Sequence, residues 1–516
     1  MKTLTSYVGG RWYEAERDYQ LLIDPSTEEP LARASSAGAD LAGALEWAGR
    51  EGGPNLRSLT FGQRGEILKS LSKKLREHRD ELLELSKINN GATASDGSFD
   101  VDGAGGTLAF YGGLGLSLGD RRVLADGDGL QLGKTEAFWT RHALLPKRGV
   151  AVHVNAFNFP AWGLAEKFAC AFLAGVPVIT KPATATALTA HRMVEIAIES
   201  GLLPAGALQL VVGPTGDLLD RLGPQDVFAF TGSAATALAL RGKRNLLAGS
   251  VKINVEADSL NAAVLGPDVA PGSPLFDLFL ADVEREMTQK AGQKCTAVRR
   301  LVVPREREEA VAEALSARLA GVVVGNPADG AVGMGPLATA AQLSDALDGI
   351  AELLATTQLL AGSGARVDGR GAPSGKGFFV EPTLLRSEYP FEKTPVHWRE
   401  VFGPVATLLP YSGSADEAAR LVALAEGTLV TSAYSDDGDW LGGLLAGAGS
   451  STGRLYVGST GAQGFGSGAA LPGSIHGGPG RAGGGEELGG LRGLAPYLQR
   501  VALQGARAVV DPLAGA

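Results

Sequence analysis

Cysteine and histidine are both scarce in this 516-residue chain, which has only two cysteines, Cys170 and Cys295, and six histidines. Two cysteines cannot build a disulfide scaffold, and such sparing use is typical of a reducing compartment, so we expect a cytoplasmic location. The histidines are scattered without paired spacing, and the cysteines lie far apart in the chain. The sequence therefore predicts no catalytic metal.

Long apolar runs and an excess of positive charge are also missing. The apolar run 168–180 lies between Lys167 and Lys181 and is too short to span a bilayer. The first residues lack the hydrophobic segment of a secretion signal, so we expect none. A formal net charge of -9 argues against nucleic acid or an anionic membrane as a partner. These features limit the partners but leave the chemistry open.

Glycine, by contrast, is abundant, with 73 residues in the chain, of which 20 lie within 441–493. This enrichment predicts a loop-rich C-terminal region. The region contains a formal match to the dinucleotide pattern G-x-G-x-x-G at 478–483. We expect neither a strand before that match nor a clear helix after it, and we therefore reject it. We find no fixed-period repeat, which argues against solenoids and propellers.

Hydrophobic periodicity predicts a short β-like lead at 6–12, a helix at 58–85, and then alternating strands and helices. We expect strands in 137–154, 176–180, 208–212, 227–230 and 251–255, and helices in 160–174, 188–199 and 234–247. Alternating elements of these lengths indicate an α/β fold with a parallel, doubly wound sheet. In such sheets, ligands bind beyond the carboxyl ends of the strands.

Cys295 is the candidate nucleophile. It lies between a helical pattern at 281–290 and a strand-like run at 298–303, so we expect its side chain at a junction between elements. A site that favours the thiolate would make it a strong nucleophile. Taken alone, an unpaired cysteine is more often a small buried hydrophobe, so the other motifs must decide.

Polar residues follow several predicted strands. Asn158 could donate to a developing oxyanion, and Lys181 could bind a ribose or phosphate. Gly232 and Ser233 join a strand to a helix whose N-terminus favours phosphate. Glu256 ends a strand, where burial would raise its pKa toward neutrality and suit a general base. Each residue also fits a structural role when taken singly, as a helix cap, a solvated lysine or a salt-bridged carboxylate.

The order of these motifs, followed by Cys295 and then Glu400-Val-Phe402-Gly403-Pro404, resembles the aldehyde dehydrogenase superfamily over nearly the whole chain. The resemblance implies that Cys295 is the nucleophile, Asn158 the oxyanion donor, Glu256 the general base and Lys167 a supporting lysine. It also implies a set of cofactor contacts, which are Phe157, Lys181, Thr184, Gly232, Ser233, Glu400 and Phe402.

The sequence departs from the family pattern at informative positions. Thr184 stands where many members carry a ribose-binding glutamate, and a hydroxyl can donate to a 2′-phosphate that a carboxylate would repel. We therefore expect NADP as cofactor, with NAD weaker. Ala257-Asp258-Ser259 replaces the usual Gly-Gly-Lys, and Ala237 replaces the second glycine of the common phosphate loop.

Longer segments, including FTGSAATA and GQKCTAVRRLVVP, are similar to a narrower subgroup that acts on CoA-linked semialdehydes in aerobic benzoate degradation. This similarity implies NADP-dependent, hydrolytic oxidation of such an aldehyde to the acid, by a stand-alone enzyme. Two alternatives are a CoA-acylating dehydrogenase, against which Glu256 argues, and a catalytically silent binding protein. The presence of Cys295, Asn158 and Glu256 together argues against a silent protein.

The resemblance also implies a domain organisation. We expect a Rossmann-type cofactor domain at 1–120 and 147–257 and an α/β catalytic domain at 258–485. A small β oligomerisation element with the C-terminal tail would comprise 121–146 and 486–516. The expected assembly is a homodimer or a dimer of dimers.

Overall fold

A computed structural model of the chain describes residues 1–462 and 466–515. Its strands, numbered along the chain, are β1 (Lys2–Leu4), β2 (Ser6–Val8), β3 (Arg11–Tyr13), β4 (Gln20–Ile23), β5 (Pro30–Ala34), β6 (Leu124–Gln131), β7 (Trp139–Pro146), β8 (Ala151–Val154), β9 (Val178–Lys181), β10 (Leu208–Leu210), β11 (Val227–Thr231), β12 (Lys252–Glu256), β13 (Asn261–Leu265), β14 (Val298–Pro304), β15 (Gln358–Ala361), β16 (Thr383–Arg386), β17 (Val405–Tyr411), β18 (Thr428–Tyr434), β19 (Thr452–Gly458), β20 (Ile475–Gly477), β21 (Glu486–Leu488) and β22 (Leu498–Gly505). Its α-helices are α1 (Leu41–Trp47), α2 (Gly53–Ser58), α3 (Phe61–Glu77), α4 (Arg79–Asn90), α5 (Ala94–Leu118), α6 (Trp162–Ala174), α7 (Ala187–Glu199), α8 (Ala234–Arg241), α9 (Arg244–Ala248), α10 (Pro274–Thr288), α11 (Glu308–Ala320), α12 (Ala340–Leu354), α13 (Ala415–Ala423), α14 (Gly438–Ala448) and α15 (Arg507–Ala514).

The first large sheet has seven strands in the order β12-β11-β8-β9-β10-β2-β3. Strands β8 to β12 are parallel, and the β2–β3 hairpin adds an antiparallel edge. Helices α3, α5, α6 and α7 share a core with one face of the sheet, and α1, α8 and α9 share a core with the other. The chain runs from β8 outward through β9 and β10, then returns to β11 on the opposite side of β8. This confirms the predicted doubly wound sheet and places a ligand crevice beyond the carboxyl end of β8.

The second large sheet has the order β15-β16-β17-β14-β13-β18-β19 and is parallel except at the β15 edge. Three of its loops matter for the site, because Ser259, Cys295 and Glu400 precede β13, β14 and β17 respectively. The amino ends of this sheet therefore face the carboxyl ends of the first sheet, and the crevice lies between them.

A separate three-stranded antiparallel sheet, β22-β7-β6, joins residues 124–146 to the end of the chain. Trp139 of β7 donates a hydrogen bond of 3.0 Å to Asp511 of α15, which fastens the last helix to this sheet. The sheet exposes the apolar side chains of Leu130 and Val501, and α15 exposes that of Val509. A small sheet built from the two predicted segments is therefore present, while its role in assembly and the domain boundaries stay predictions.

Most predicted elements are present within a few residues, but three predictions need correction. The helix expected at 58–85 is two helices, because His78 takes a non-helical conformation (φ -104°, ψ 15°) between α3 and α4. The helix expected at 234–247 is likewise divided into α8 and α9. Strand β20 does precede the glycine motif at 478–483, whereas the motif itself contains a 3-10 turn at 480–482 and is followed by strand β21 in place of a helix. No helix within 1–462 or 466–515 is long and apolar enough to cross a membrane.

Candidate active site

The backbone just before Cys295 is left-handed at three successive residues. Lys290, Ala291 and Gly292 have φ angles of 53°, 52° and 69°. For a residue with a side chain, such a conformation costs on the order of 1–3 kcal/mol and persists only where the surroundings enforce it. The backbone N–H of Lys290 donates a hydrogen bond of 3.0 Å to the buried carboxylate of Asp96, which holds the turn.

Helix α5 connects the two loops that build the site. Asp100, fully buried in α5, accepts a 2.8 Å hydrogen bond from the backbone N–H of Trp162 at the start of α6. Its other oxygen lies 3.9 Å from Nζ of Lys290. One carboxylate thus fixes the loop that carries Asn158 relative to the loop that carries Cys295.

Asn158 lies beside the loop that carries Cys295. Its Nδ2 atom donates a 3.0 Å hydrogen bond to the carbonyl oxygen of Gln293. The second amide hydrogen has no partner within the described residues, and neither has the backbone N–H of Cys295. Asn261 fixes the peptide after Cys295 by donating to its carbonyl oxygen at 2.7 Å. Two unpaired donors in this position can stabilise an oxyanion.

His476 lies between Cys295 and Glu256, and sequence reasoning missed it. Its Nε2 atom is 3.6 Å from Sγ of Cys295 and 3.2 Å from Oε1 of Glu256. His476 and Glu256 are buried, and Cys295 is half-buried. The available signals were the scarcity of histidine and the position of His476 at the head of the segment HGGPG.

The glycine-rich tail brings His476 to the site because it packs directly on the backbone of β12. The N–H of Gly485 donates to the carbonyl oxygen of Val255 at 3.0 Å. A Cβ atom at Gly485 or Gly483 would overlap the same oxygen. Glycine is therefore required where the tail passes β12. This contact places His476 before it in the chain, and Glu487 after it, close to Glu256.

The electrostatics of these residues differ from expectation. Burial raises the pKa of Glu256, but the His476 imidazole and the Lys167 ammonium oppose it and lower that pKa to about 2. The predicted rise toward neutrality is therefore wrong. Burial and the neighbouring Glu256 carboxylate raise the pKa of Cys295 well above its ordinary value. The resting nucleophile is a thiol, and it needs a base.

The pKa of His476 moves in the opposite direction to that of Glu256. Burial lowers the pKa of His476, but the Glu256 carboxylate more than offsets this and raises it above its ordinary value. The two side chains therefore form an ion pair in which the imidazole holds the proton.

Lys167 belongs to a buried cluster next to Glu256. Its Nζ atom lies 2.9 Å from Oε1 of Glu166 and 3.1 Å from Oε2 of Glu487. Burial lowers the pKa of Lys167, but the surrounding carboxylates raise it well above its ordinary value, while burial raises the pKa of Glu166 to about 7. Lys167 thus offsets the negative charge around Glu256. Sequence reasoning identified Lys167 but missed Glu166 and Glu487.

Cys295 lies where two cavities of different shape meet. The first is narrow, about 50 Å³, with aromatic walls formed by Phe99, Phe159 and Trp162. The second is a cleft of about 600 Å³ between the two large sheets. Both cavities are lined by Asn158, Thr231, Glu256 and Cys295. A slender reactant can approach the sulfur from one side and a large one from the other.

Five predicted cofactor residues line the wide cleft, namely Phe157, Gly232, Ser233, Glu400 and Phe402. Burial raises the pKa of Glu400 to about 8. Its Oε2 accepts from the N–H of Ser259 at 3.2 Å, whereas Oε1 lies 3.8 Å from Nε of Arg299 and makes no hydrogen bond. A buried carboxylate oxygen without a hydrogen bond suits the hydroxyl groups of a ribose, so the cleft fits a dinucleotide. Ser233 caps α8, since its Oγ accepts from the N–H of Thr236 at 3.3 Å.

Lys181 and Thr184, the other two predicted cofactor residues, do not line the cleft themselves. They flank Pro182 and Ala183, and Ala183 lines the cleft. Burial lowers the pKa of Lys181, and no carboxylate of the described residues lies within 4.0 Å of its ammonium. An ammonium without an acid partner suits an anionic or hydroxyl-bearing ligand.

The departures from the family pattern have structural roles. Asp258, which replaces a glycine, accepts a 2.8 Å hydrogen bond from the N–H of Ala234 at the start of α8. Ser259, which replaces a lysine, positions Glu400 as described above. Ala237 is buried against the first sheet. The altered residues therefore hold the cleft together rather than disrupt it.

Comparisons with known proteins identify the family of the chain. The model of the aldehyde dehydrogenase family matches residues 12–499. A 3,4-dehydroadipyl-CoA semialdehyde dehydrogenase from Aromatoleum evansii is 46% identical over 478 residues, which are 92% of this chain and 93% of that protein. A putative aldehyde dehydrogenase from Burkholderia cenocepacia has a similar fold, with a TM-score of 0.85, 23% identity and 99% of each chain covered. A betaine aldehyde dehydrogenase from Staphylococcus aureus has a TM-score of 0.84, with 22% identity and 98% of each chain covered. The chain therefore belongs to the aldehyde dehydrogenase family.

Proposed function

We propose that this enzyme oxidises a CoA-linked semialdehyde, of the 3,4-dehydroadipyl-CoA type, to the carboxylic acid by NADP-dependent hydrolytic chemistry in aerobic benzoate degradation. The observation that carries the proposal is the position of Cys295, His476 and Glu256 at the meeting point of a narrow aromatic cavity and a wide cleft. The name of the Aromatoleum evansii relative supports the substrate.

The first step is attack of the Cys295 sulfur on the aldehyde carbon. Because the thiol has a raised pKa, its proton must pass to a base, and Nε2 of His476 lies 3.6 Å from the sulfur. The fraction of His476 that is neutral accepts this proton. The amide of Asn158 and the backbone N–H of Cys295 then stabilise the oxyanion of the tetrahedral adduct.

The wide cleft would hold NADP. Glu400 would accept hydrogen bonds from the nicotinamide ribose, Phe157 and Phe402 would border the ring, and Lys181 with Thr184 would contact the adenosine ribose and its 2′-phosphate. A bound nicotinamide supplies the acceptor for the hydride that leaves the aldehyde carbon. Loss of that hydride converts the adduct on Cys295 to a thioester.

Hydrolysis of the thioester needs a base for water, which is the role proposed for Glu256. Its pKa is low while His476 is protonated, so the carboxylate is a poor base in that state. When His476 releases its proton, its positive charge no longer stabilises the Glu256 carboxylate, and the pKa of Glu256 rises. The protonation states of the two groups are therefore coupled. Glu256 becomes an effective base for water only after His476 has passed its proton to solvent.

The shapes of the cavities support a CoA-linked aldehyde. A narrow cavity walled by Phe99, Phe159 and Trp162 suits an unbranched chain, so the bulky nucleotide would remain outside. Binding energy from that remote part can orient the aldehyde at Cys295. We also propose a cytoplasmic homodimer or dimer of dimers that assembles through the small sheet β22-β7-β6, whose exposed apolar side chains would be covered in the assembly.

Product analysis tests the proposal. With a CoA-linked semialdehyde and NADP, the product should carry a free carboxylate and retain its original thioester, without added CoA. A new thioester formed only when free CoA is supplied would establish the acylating alternative. Glu256→Gln should give a burst of one hydride transfer per active site followed by slow turnover, while Glu486→Gln, a change at the exposed first residue of β21, should leave steady turnover unchanged.

A further inference from the structure

Two clusters of potential metal ligands border the narrow cavity. One contains Glu166, Glu256 and Glu487, and the other contains Glu256, Cys295 and His476. The first cluster already holds a cation, because the Lys167 ammonium contacts both Glu166 and Glu487. Within the described residues, no ammonium or guanidinium forms an ion pair with the second cluster, which offers sulfur, nitrogen and oxygen donors.

We propose that Cys295, His476 and Glu256 form an inhibitory site for a thiophilic divalent cation, with Zn²⁺ as the reference ion. In a tetrahedral zinc site with ordinary bond lengths, sulfur and nitrogen donors lie roughly 3.6 Å apart, and nitrogen and oxygen donors roughly 3.3 Å apart. Here Sγ of Cys295 lies 3.6 Å from Nε2 of His476, and Nε2 lies 3.2 Å from Oε1 of Glu256. All three donor atoms lie within 4.8 Å of one another. The donors thus have the spacing of a zinc site before any ion binds.

A second observation points to the same ligand. Oε1 of Glu256 is buried and makes no hydrogen bond of acceptable geometry, although Nε2 of His476 is close to it. The contact with His476 is therefore one of charge alone, and a cation coordinated by both side chains would satisfy the carboxylate oxygen that no hydrogen bond reaches. The fourth position of a tetrahedral ion would face the narrow cavity, which has room for a water molecule.

The charges and protons balance. The cation replaces the proton of the Cys295 thiol and any proton on His476, and both are released to solvent. A thiolate and a carboxylate then neutralise the two positive charges. Because the sulfur lone pair is engaged by the metal, attack on an aldehyde stops until the ion leaves. The inference rests on the geometry of three side chains and holds whichever aldehyde the enzyme oxidises.

Binding of Co²⁺ and Zn²⁺ to the metal-free, reduced enzyme, in buffer without chelators or thiols, tests the proposal without any substrate. Co²⁺ should bind at one equivalent per chain, with a thiolate-to-metal absorption band in the near ultraviolet that Zn²⁺ abolishes. His476→Asn should weaken Zn²⁺ binding at least 10-fold, because even loss of a residue that only supports a metal ligand costs about 10–100-fold. Cys170→Ala, in the buried core, should bind both ions as the wild type does.

Inhibition and alkylation provide two further readouts. Zn²⁺ should inhibit the wild type reversibly, with recovery on addition of EDTA, whereas Mg²⁺ should not, since it prefers oxygen donors. In the wild type alone, Zn²⁺ should also slow alkylation of Cys295 by iodoacetamide, as followed by peptide mass spectrometry, so the test does not depend on a variant that folds. The proposal is overturned if Co²⁺ binds without a thiolate band, if His476→Asn retains wild-type affinity, or if Zn²⁺ leaves the alkylation rate unchanged.

Discussion

The side-chain amide of Asn158 donates a hydrogen bond to the carbonyl oxygen of Gln293, two residues before Cys295. This bond joins the loop after β8 to the loop before β14, so the remaining amide hydrogen is oriented before any substrate arrives. A donor that is already in place needs no reorganisation when negative charge develops, which is the main way an oxyanion site lowers a barrier.

Cys295→Ala should abolish aldehyde oxidation while leaving cofactor binding intact, because only the sulfur is removed. Cys170→Ala is the matched control and should keep activity, since Cys170 is buried in the core of α6, where burial raises the pKa of its thiol to about 12. Steady-state rates and fluorescence titration with NADP measure both effects. An active Cys295→Ala variant would refute the assignment of the nucleophile.

His476→Asn should lower kcat/KM at neutral pH by about 10²–10⁴-fold, the usual contribution of a positioned acid or base. Without the imidazole, only the spontaneously ionised thiol reacts. Since the pKa of Cys295 is raised, activity should then climb about tenfold per pH unit above neutrality. The wild-type profile should instead level off once the pH exceeds the raised pKa of His476, because above that pKa the imidazole is neutral and free to accept the thiol proton.

The control for this prediction is His142→Asn on the exposed part of β7, which should reproduce the wild-type pH profile. Parallel profiles for His476→Asn and the wild type would show that His476 does not accept the thiol proton.

Thr184→Glu should reduce or reverse the preference for NADP over NAD, because its carboxylate would repel a 2′-phosphate. Thr184→Val is the matched control, which removes the hydroxyl without adding charge, so it should change the ratio less. The ratio of kcat/KM for the two cofactors measures the effect. A wild type that prefers NAD would contradict the cofactor proposal.

Asp100→Asn should lower the free energy of unfolding by about 3 kcal/mol, because it leaves the Lys290 ammonium buried with a weakened partner. Asp102→Asn on the same helix affects an exposed pair with Arg79 and should cost under about 1 kcal/mol. Urea unfolding compares the two variants. Equal losses would show that Asp100 does not hold the nucleophile loop.

Much of the site could be predicted because its residues follow strands that the sequence pattern reveals. Asn158, Lys181 and Glu256 are each adjacent to an apolar run, and a doubly wound sheet gathers such positions at one edge. His476 and Glu487 could not be found in this way, since they lie in a glycine-rich region without periodicity. The pKa of Glu256 was mispredicted for the same reason, because its sign depends on His476.

The break between α3 and α4 shows a second limit of sequence patterns. Apolar residues continue at helical spacing through His78, so periodicity alone favours one long helix. The chain turns there because Arg79 starts a new helix with Asp80 and Glu81 in its first turn, where carboxylates interact well with the helix dipole.

The pairing of β22 with β7 has a consequence for synthesis of the chain. Trp139 and Asp511 are 372 positions apart, and Lys167 and Glu487 are 320 apart. At roughly 5–20 residues per second on the ribosome, the interval between Lys167 and Glu487 lasts on the order of 16–64 s. Throughout that time β7 lacks one neighbour and Lys167 lacks one of its two carboxylates. The nascent chain thus carries an open strand edge until β22 emerges, which makes it a natural client for chaperones.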